Sequence, residues 1–271
     1  MSWRGPGWRG VAGGVAGLAA GFMLLPVVAM LLAVRPAVLL SKLANMVVRE
    51  ALVLSLITSI TAVLIVVIAG LPVSWWLFTA RSRLARWFEA VLVLPLVLPP
   101  TVAGLGLLLA FGRAGLLGGA FTALGFSLPF TPAAVIIAQV FVGFPFFVLA
   151  AAAGLRGIDP QLLEIGSTLG TSDFGVFRRI ALPLAAPSLL AGAVMAWARG
   201  LGEFGATITF AGNLPGKTQT MPLAVYAALQ QDLDAALAVA VLLLAISGGV
   251  LLAVRGWIPF PSRIDAGRTA P

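Results

Sequence analysis

Long stretches without a single charged side chain dominate this sequence. Five such runs are Gly10–Val34, Ala51–Ala80, Ala90–Gly112, Ala114–Leu155 and Ala235–Val254, and all the Lys, Arg, Asp and Glu lie between them or at the two ends of the chain. A helix of about 20 apolar residues crosses the hydrocarbon core of a bilayer. In lipid the backbone must satisfy its own hydrogen bonds, so a helix is the natural state of each run. The chain is 61% hydrophobic and 10% charged, against roughly 45–50% and about 25% for a soluble domain. A soluble core of this length could not bury so much apolar surface, whereas lipid can.

Arg4 and Arg9 ahead of the first run imitate a signal peptide. The run that follows exceeds a signal h-region and is long enough to span, so it reads as the first transmembrane helix. The long run Ala114–Leu155 opens with Gly115, Gly118, Gly119, Gly125, Pro129 and Pro132. Its first half therefore reads as a loop and its second, about Ala133–Leu155, as a helix. One more apolar stretch, about Leu184–Phe210, is interrupted only by Arg199 and Glu203. The expected architecture is an all-α integral membrane protein of about six transmembrane helices, residues 1–271 forming one transmembrane domain. Pro95, Pro99 and Pro100 in the third span and Pro145 in the fourth predict kinks, either for packing or beside a wet pathway.

Basic residues set the expected orientation. Arg4, Arg9, Arg81, Arg83, Arg86, Arg156, Arg178, Arg179, Arg255, Arg263 and Arg268 fall on one side of the spans; Arg35, Lys42, Arg49, Arg113 and Lys217 fall on the other. By the positive-inside rule the richer side, with both termini, is cytoplasmic. Trp75, Trp76 and Trp87 near the Arg81–Arg86 group fit an interfacial aromatic belt. The net charge of +8 is distributed in small groups between apolar runs, a topological pattern and not a nucleic-acid surface. There is no Cys and no His, which removes disulfides, Cys or His metal ligands, thiol nucleophiles and imidazole bases.

One segment outside the spans has its own design. Arg156–Pro183 carries Asp159 followed by Pro160, an N-cap and a first-turn proline. Leu162, Leu163, Ile165 and Leu169 give the ensuing helix an apolar side, and Gly170 can end it in the left-handed conformation. Thr171, Ser172 and Asp173 can cap a second short helix, with Phe174, Phe177 and Ile180 apolar and Arg178 and Arg179 in its last turn, where its dipole favours cations. Periodicity alone leaves two places for such faces, a groove on a partner protein or the bilayer surface.

The spacing Glu164-x5-Gly170-x9-Ile180-x-Leu182-Pro183 resembles the loop by which permeases of bacterial and archaeal ABC importers dock onto their ATPase subunits. Where that family places two alanines after the glutamate, Ile165 and Gly166 stand here. Leu94–Gly104 (LPLVLPPTVAG), Ala198–Thr207 (ARGLGEFGAT) and Ala211–Tyr226 (AGNLPGKTQTMPLAVY) look like the molybdate importer permeases. Sulfate and thiosulfate permeases share the architecture but favour a tyrosine and a serine where Phe204 and Ala206–Thr207 stand. The resemblance implies the type I importer fold, with 156–183 as a cytoplasmic coupling-helix loop between helices 4 and 5. It implies ATPase-docking roles for Glu164, Gly166, Gly170, Asp173, Arg178, Arg179, Ile180 and Pro183, and outer-loop contacts at Asn213, Lys217 and Thr218. It also implies an assembly of two permease copies, two ATP-binding-cassette subunits that hold ATP and Mg, and an external oxyanion-binding protein. The permease itself would be a transport subunit without cofactor, catalytic residue or metal, in contact with lipid and not with nucleic acid.

Two other readings compete. Ala211–Thr218 imitates a phosphate-binding P-loop, but a P-loop follows a strand and opens a helix, and this segment follows a span, contains Pro215 and is expected to face outward. A secondary anion transporter would place ionisable relays in its spans and often shows inverted repeats. Here Glu203 is the clear intramembrane acid, with Arg199 four residues before it on one expected helix face. That pair reads either as structural or as part of the pathway.

Overall fold

The computed structural model describes residues 6–80 and 82–255. Arg4, Arg81, Arg263 and Arg268, used above to set the orientation, lie outside them. Among the described residues all regular structure is helical. Five helices are long and apolar enough to cross a membrane. They are α1 (Pro6–Ala33), α3 (Met46–Thr79), α7 (Pro132–Arg156), the continuous stretch Asp173–Leu201, and α13 (Leu233–Arg255). Four of them fall within about five residues of an expected span, whereas Asp173–Leu201 begins and ends about ten residues before the expected Leu184–Phe210.

The third expected span differs. It is two helices, α4 (Arg83–Val97) and α5 (Pro100–Phe111), bent by 116° at Leu98–Pro99. A single kinked helix was the expectation, but consecutive prolines prevent one. Proline disfavours helical backbone in the residue before it, so Leu98 (φ −66°, ψ 131°) and Pro99 (φ −54°, ψ 136°) are both extended. Pro100 then begins α5, where its missing N–H costs nothing. Pro95 alone is accommodated inside α4.

The fifth span also breaks. Helix α10 (Leu182–Leu201) stops at Gly202, Phe204 leaves helical geometry (φ −120°, ψ −52°), and a separate short helix, α11 (Gly205–Phe210), follows. Helices α5 and α11, the two half-helices, meet backbone to backbone: a Cβ at Gly104 would lie 2.8 Å from Ala206 Cα. The glycine-rich half of the long run is mainly loop, as expected, with one short helix, α6 (Gly118–Ala123). Two further helices, α2 (Pro36–Ala44) and α12 (Met221–Leu229), sit between spans.

Helix α7 is the centre of the bundle. It packs against α10, α3, α11 and α4, and Val135, Ala138, Phe147, Val148, Ala151 and Leu155 are fully buried along it. Small residues let the neighbours approach, as is usual where lipid removes the hydrophobic drive for helix association. Polar groups on α3 add specific ties: Ser59 Oγ accepts from Trp197 Nε1 (3.1 Å), and Ser55 Oγ accepts from Met221 N (2.7 Å). Helix α1 is the opposite case. Its Leu18 and Leu32 are about four-fifths exposed, a surface suited to lipid or another membrane helix. Trp87 is exposed, whereas Trp75 and Trp76 turn inward onto Phe177 and Phe88, so only part of the expected aromatic belt forms.

Two ion pairs register the ends of the bundle. Arg156 at the end of α7 meets Glu89 in α4 at 3.1 Å, and Arg35 after α1 meets Asp234 at the start of α13 at 3.2 Å. Each pair joins groups that the charge pattern assigns to the same side.

Candidate functional site

The loop after α7 forms as its capping residues dictate. Asp159 Oδ1 accepts from Gln161 N (3.0 Å), and Pro160 opens α8 (Pro160–Thr168). Gly170 takes φ +78°, Gly170 N donates to Ser167 O, and Thr171 N donates to Gly166 O. These two bonds are a Schellman stop, which needs the left-handed residue that glycine supplies most cheaply. Of the three possible caps, Ser172 is used: its Oγ accepts from Gly175 N (3.3 Å), and Asp173 lies in the first turn of α9 (Asp173–Val176).

The second short helix does not end where expected. It passes through a π turn, Phe177–Ala181, directly into α10. Arg178 and Arg179 lie in that π turn and not at a helix terminus, so no dipole end is there for them to serve. Pro183 explains the turn, since its ring crowds the carbonyl four residues earlier and it offers no N–H. A π turn widens the spiral just ahead of it, with Leu182 N donating to Phe177 O.

The inner side of this loop is fastened to the spans. Phe177 packs on Trp75 with ring centroids 4.9 Å apart, and Leu163 and Phe177 lie against Leu155, Ile158 and Ala181. Gly166 is buried; a Cβ there would fall 2.5 Å from Ile180 Cδ1 and 3.4 Å from Val176 Cγ2. The outer side is open, and Leu162, Ile165, Leu169 and Phe174 are exposed beside Glu164, Asp173, Arg178 and Arg179. Sequence reasoning treated the apolar side as one face, whereas the structure divides it into a fixed half and a free half.

A groove of about 630 Å³ starts at this loop and runs between α7 and α10, lined by Ala150, Ala153 and Gly154 on one wall and Leu184, Ser188 and Ala191 on the other. The α10 wall continues at helical spacing through Met195 to Arg199, all partly or fully accessible. This stripe was not singled out from the sequence; its spacing of four, three, four and four residues was the available signal.

At the head of the stripe Arg199 Nη1 meets Glu203 Oε2 at 2.6 Å. The expected contact forms, but the two residues do not share a helix, because Glu203 lies past the end of α10. Its Oε1 accepts from Ala206 N at 2.8 Å and so caps α11. Glu203 is 1% exposed and Arg199 about one-third. A buried carboxylate held by a guanidinium and a backbone N–H ties α10 to α11.

The outer-loop candidates separate. Lys217 is exposed. Thr218 is fully buried and its Oγ1 accepts from Leu214 N (3.1 Å), while Asn213 Oδ1 accepts from Gln219 Nε2 (2.9 Å). Thr218 is therefore corrected from an outer contact to a structural group, and Asn213 also holds the loop. The local order is helix, turn, helix, with α12 beginning after Thr220, which excludes the strand–loop–helix context of a P-loop.

Residues 67–258 match the family described as "Binding-protein-dependent transport system inner membrane component". The chain is 41% identical over 211 residues to the molybdenum transport system permease protein ModB of Mycobacterium tuberculosis, covering 78% of this chain and 80% of that one. It is 37% identical to ModB of Escherichia coli K12, covering 81% and 96%. To a probable molybdenum ABC transporter permease of Haloferax volcanii it is 38% identical, covering 91% and 89%. Among solved structures, a bacterial alginate ABC transporter in complex with a periplasmic protein matches with a TM-score of 0.71 at 14% identity, over 93% of this chain and 96% of that one. At that identity the match speaks to the fold alone. The span pattern and these similarities agree: the chain belongs to the family of inner-membrane permease components of binding-protein-dependent transport systems.

Proposed function

We propose that this chain is the permease subunit through which molybdate, and tungstate with it, crosses the cytoplasmic membrane in an ATP-driven importer. The observation that carries the reading is the identity of about 40% to molybdenum transport permeases over four-fifths of the chain. The exposed outer half of the α8–α9 loop supports an ATPase seat, with Leu162, Leu169 and Phe174 as apolar contacts and Glu164, Arg178 and Arg179 as polar ones. ATP and Mg belong to that separate ATPase. Two copies of the permease face each other across the α7–α10 groove, with N- and C-termini in the cytoplasm and Lys217 on the outer face, where an oxyanion-binding protein docks.

In this mechanism ATPase closure draws the two α8–α9 loops together. Because Gly166, Ile180 and Phe177 fasten the loop to α10 without slack, its displacement passes along α10 as a rigid body to the break at Gly202. Arg199 lies there beside the pathway and attracts the oxyanion, while Glu203 keeps its charge from becoming a deep trap that would slow release.

The direct test is reconstitution with the ATPase and the binding protein in proteoliposomes. Molybdate or tungstate at low concentration is expected to stimulate ATP hydrolysis and uptake, with sulfate competing poorly. Tight sulfate uptake with molybdate ignored would move the protein to the sulfate and thiosulfate permeases.

A further inference from the structure

Gln139 on α7 is 1% exposed, and neither its Oε1 nor its Nε2 has a hydrogen-bond partner among the described residues. An unbonded buried amide costs stability that an apolar side chain of the same length would not. Such groups persist where function uses them. Its position is specific: a Cβ at Gly200 would lie 3.4 Å from Gln139 Cβ and 3.8 Å from its Cγ. Gly200 is the residue after Arg199, and its carbonyl accepts from Glu203 N (3.1 Å). Gln139 thus stands against the last turn of α10, at the level of the ion pair and beside the break in the fifth span. One turn into α11, Thr207 is fully buried with its hydroxyl also unbonded.

A tetrahedral oxyanion presents only acceptors, and an amide NH2 and a hydroxyl are donors. They are uncharged, so they select for geometry without deepening the electrostatic well that Arg199 creates. Helix α10 ends at Leu201 and α11 begins at Gly205, so no continuous helix runs through the break at Gly202–Phe204.

We propose that Gln139 is a specificity-determining residue of the pathway. Its amide is withdrawn behind Gly200 in this conformation and donates to the oxyanion, alongside Arg199, when α10 and α11 shift. Thr207 supplies a second donor from the other side of the break. The inference rests on the oxyanion-importer reading.

The test compares Gln139→Met and Gln139→Leu with the wild type in the reconstituted complex, measuring assembly and the uptake of labelled molybdate, tungstate and sulfate. Both variants are expected to assemble at least as well as the wild type, because an unbonded buried amide is gone. Oxyanion uptake should fall about tenfold, the scale of one lost directed hydrogen bond, and the ratio of molybdate to sulfate uptake should change. Thr207→Val should move the same ratio. Wild-type uptake with an unchanged ratio in Gln139→Met would overturn the proposal, as would failure of both Gln139 variants to assemble, which would make the amide structural. If the wild-type complex moves no oxyanion at all, the importer reading itself fails, and this inference with it.

Discussion

Gly166 on α8 and Ile180 in the π turn touch so closely that a methyl group on the glycine would sit 2.5 Å from Ile180 Cδ1. The contact joins the α8–α9 loop, the proposed ATPase seat, to the helix that carries Arg199. It accounts for a residue without a side chain at 166. At this position Ile180 fills the space that such a methyl would occupy.

Two sets of substitutions should separate the fixed half of the loop from its free half. Gly166→Val should push Ile180 away and cost about 1–3 kcal/mol by overpacking, seen as a lower thermal midpoint of the purified permease. Leu169→Asp and Phe174→Asp change exposed side chains and should leave that midpoint within about 0.5 kcal/mol while weakening ATPase capture in a pull-down. Normal capture by both Asp variants would place the ATPase seat elsewhere.

Gly170→Val tests the turn itself. A β-branched residue is strongly disfavoured at φ +78°, so the Schellman stop should open and α8 lose its angle to α9. The expected result is an assembled membrane domain with ATP hydrolysis no longer coupled to uptake. Gly170→Asn, which tolerates the left-handed region, should retain most coupling. Equal behaviour of the two variants would mean that the turn's conformation does not matter.

Much of this was legible from the sequence because the relevant physics is local. Uncharged runs located the spans, and Asp159–Pro160, Gly170 and Ser172 marked the helix ends with the residues that cap them. What was not legible depends on tertiary neighbours. The proline pair at 99–100 signalled a disturbance, but its 116° outcome requires α5 to find α11, and that meeting depends on Gly104 and Ala206, far apart in sequence. Arg178 and Arg179 looked terminal because nothing in the local pattern announces that α9 continues into α10. Thr218 looked available because a buried loop hydroxyl has the same sequence signature as an exposed one.

The chain has no cysteine, so single cysteines can report sidedness without background. Lys217 and Arg178 are both exposed, and Lys217→Cys and Arg178→Cys should leave the fold unchanged. In intact cells a membrane-impermeant maleimide is expected to label the first and not the second. The reverse pattern would invert the proposed orientation of the permease.

The ion pair at the break in the fifth span makes the sharpest prediction, because its two members are unequally buried. Arg199→Gln leaves the Glu203 carboxylate, 1% exposed, with the Ala206 N–H but no cation. Removing one partner of a buried pair costs about 3–5 kcal/mol, and the lower end applies because Arg199 keeps a third of its surface. Glu203→Gln should cost less, since an amide oxygen can still accept from Ala206 N and Arg199 can turn towards water. Removing both charges avoids an unpaired buried ion, so Arg199→Gln/Glu203→Gln should recover most of the assembly lost in Arg199→Gln. Oxyanion uptake should behave differently. If Arg199 attracts the anion, the double variant regains assembly without regaining uptake, and Glu203→Gln alone slows release because nothing restrains the guanidinium. Thermal midpoints in detergent and uptake in proteoliposomes, measured on all four proteins, separate these effects. Uptake that returns in step with assembly in the double variant would reduce the pair to a structural tie between α10 and α11.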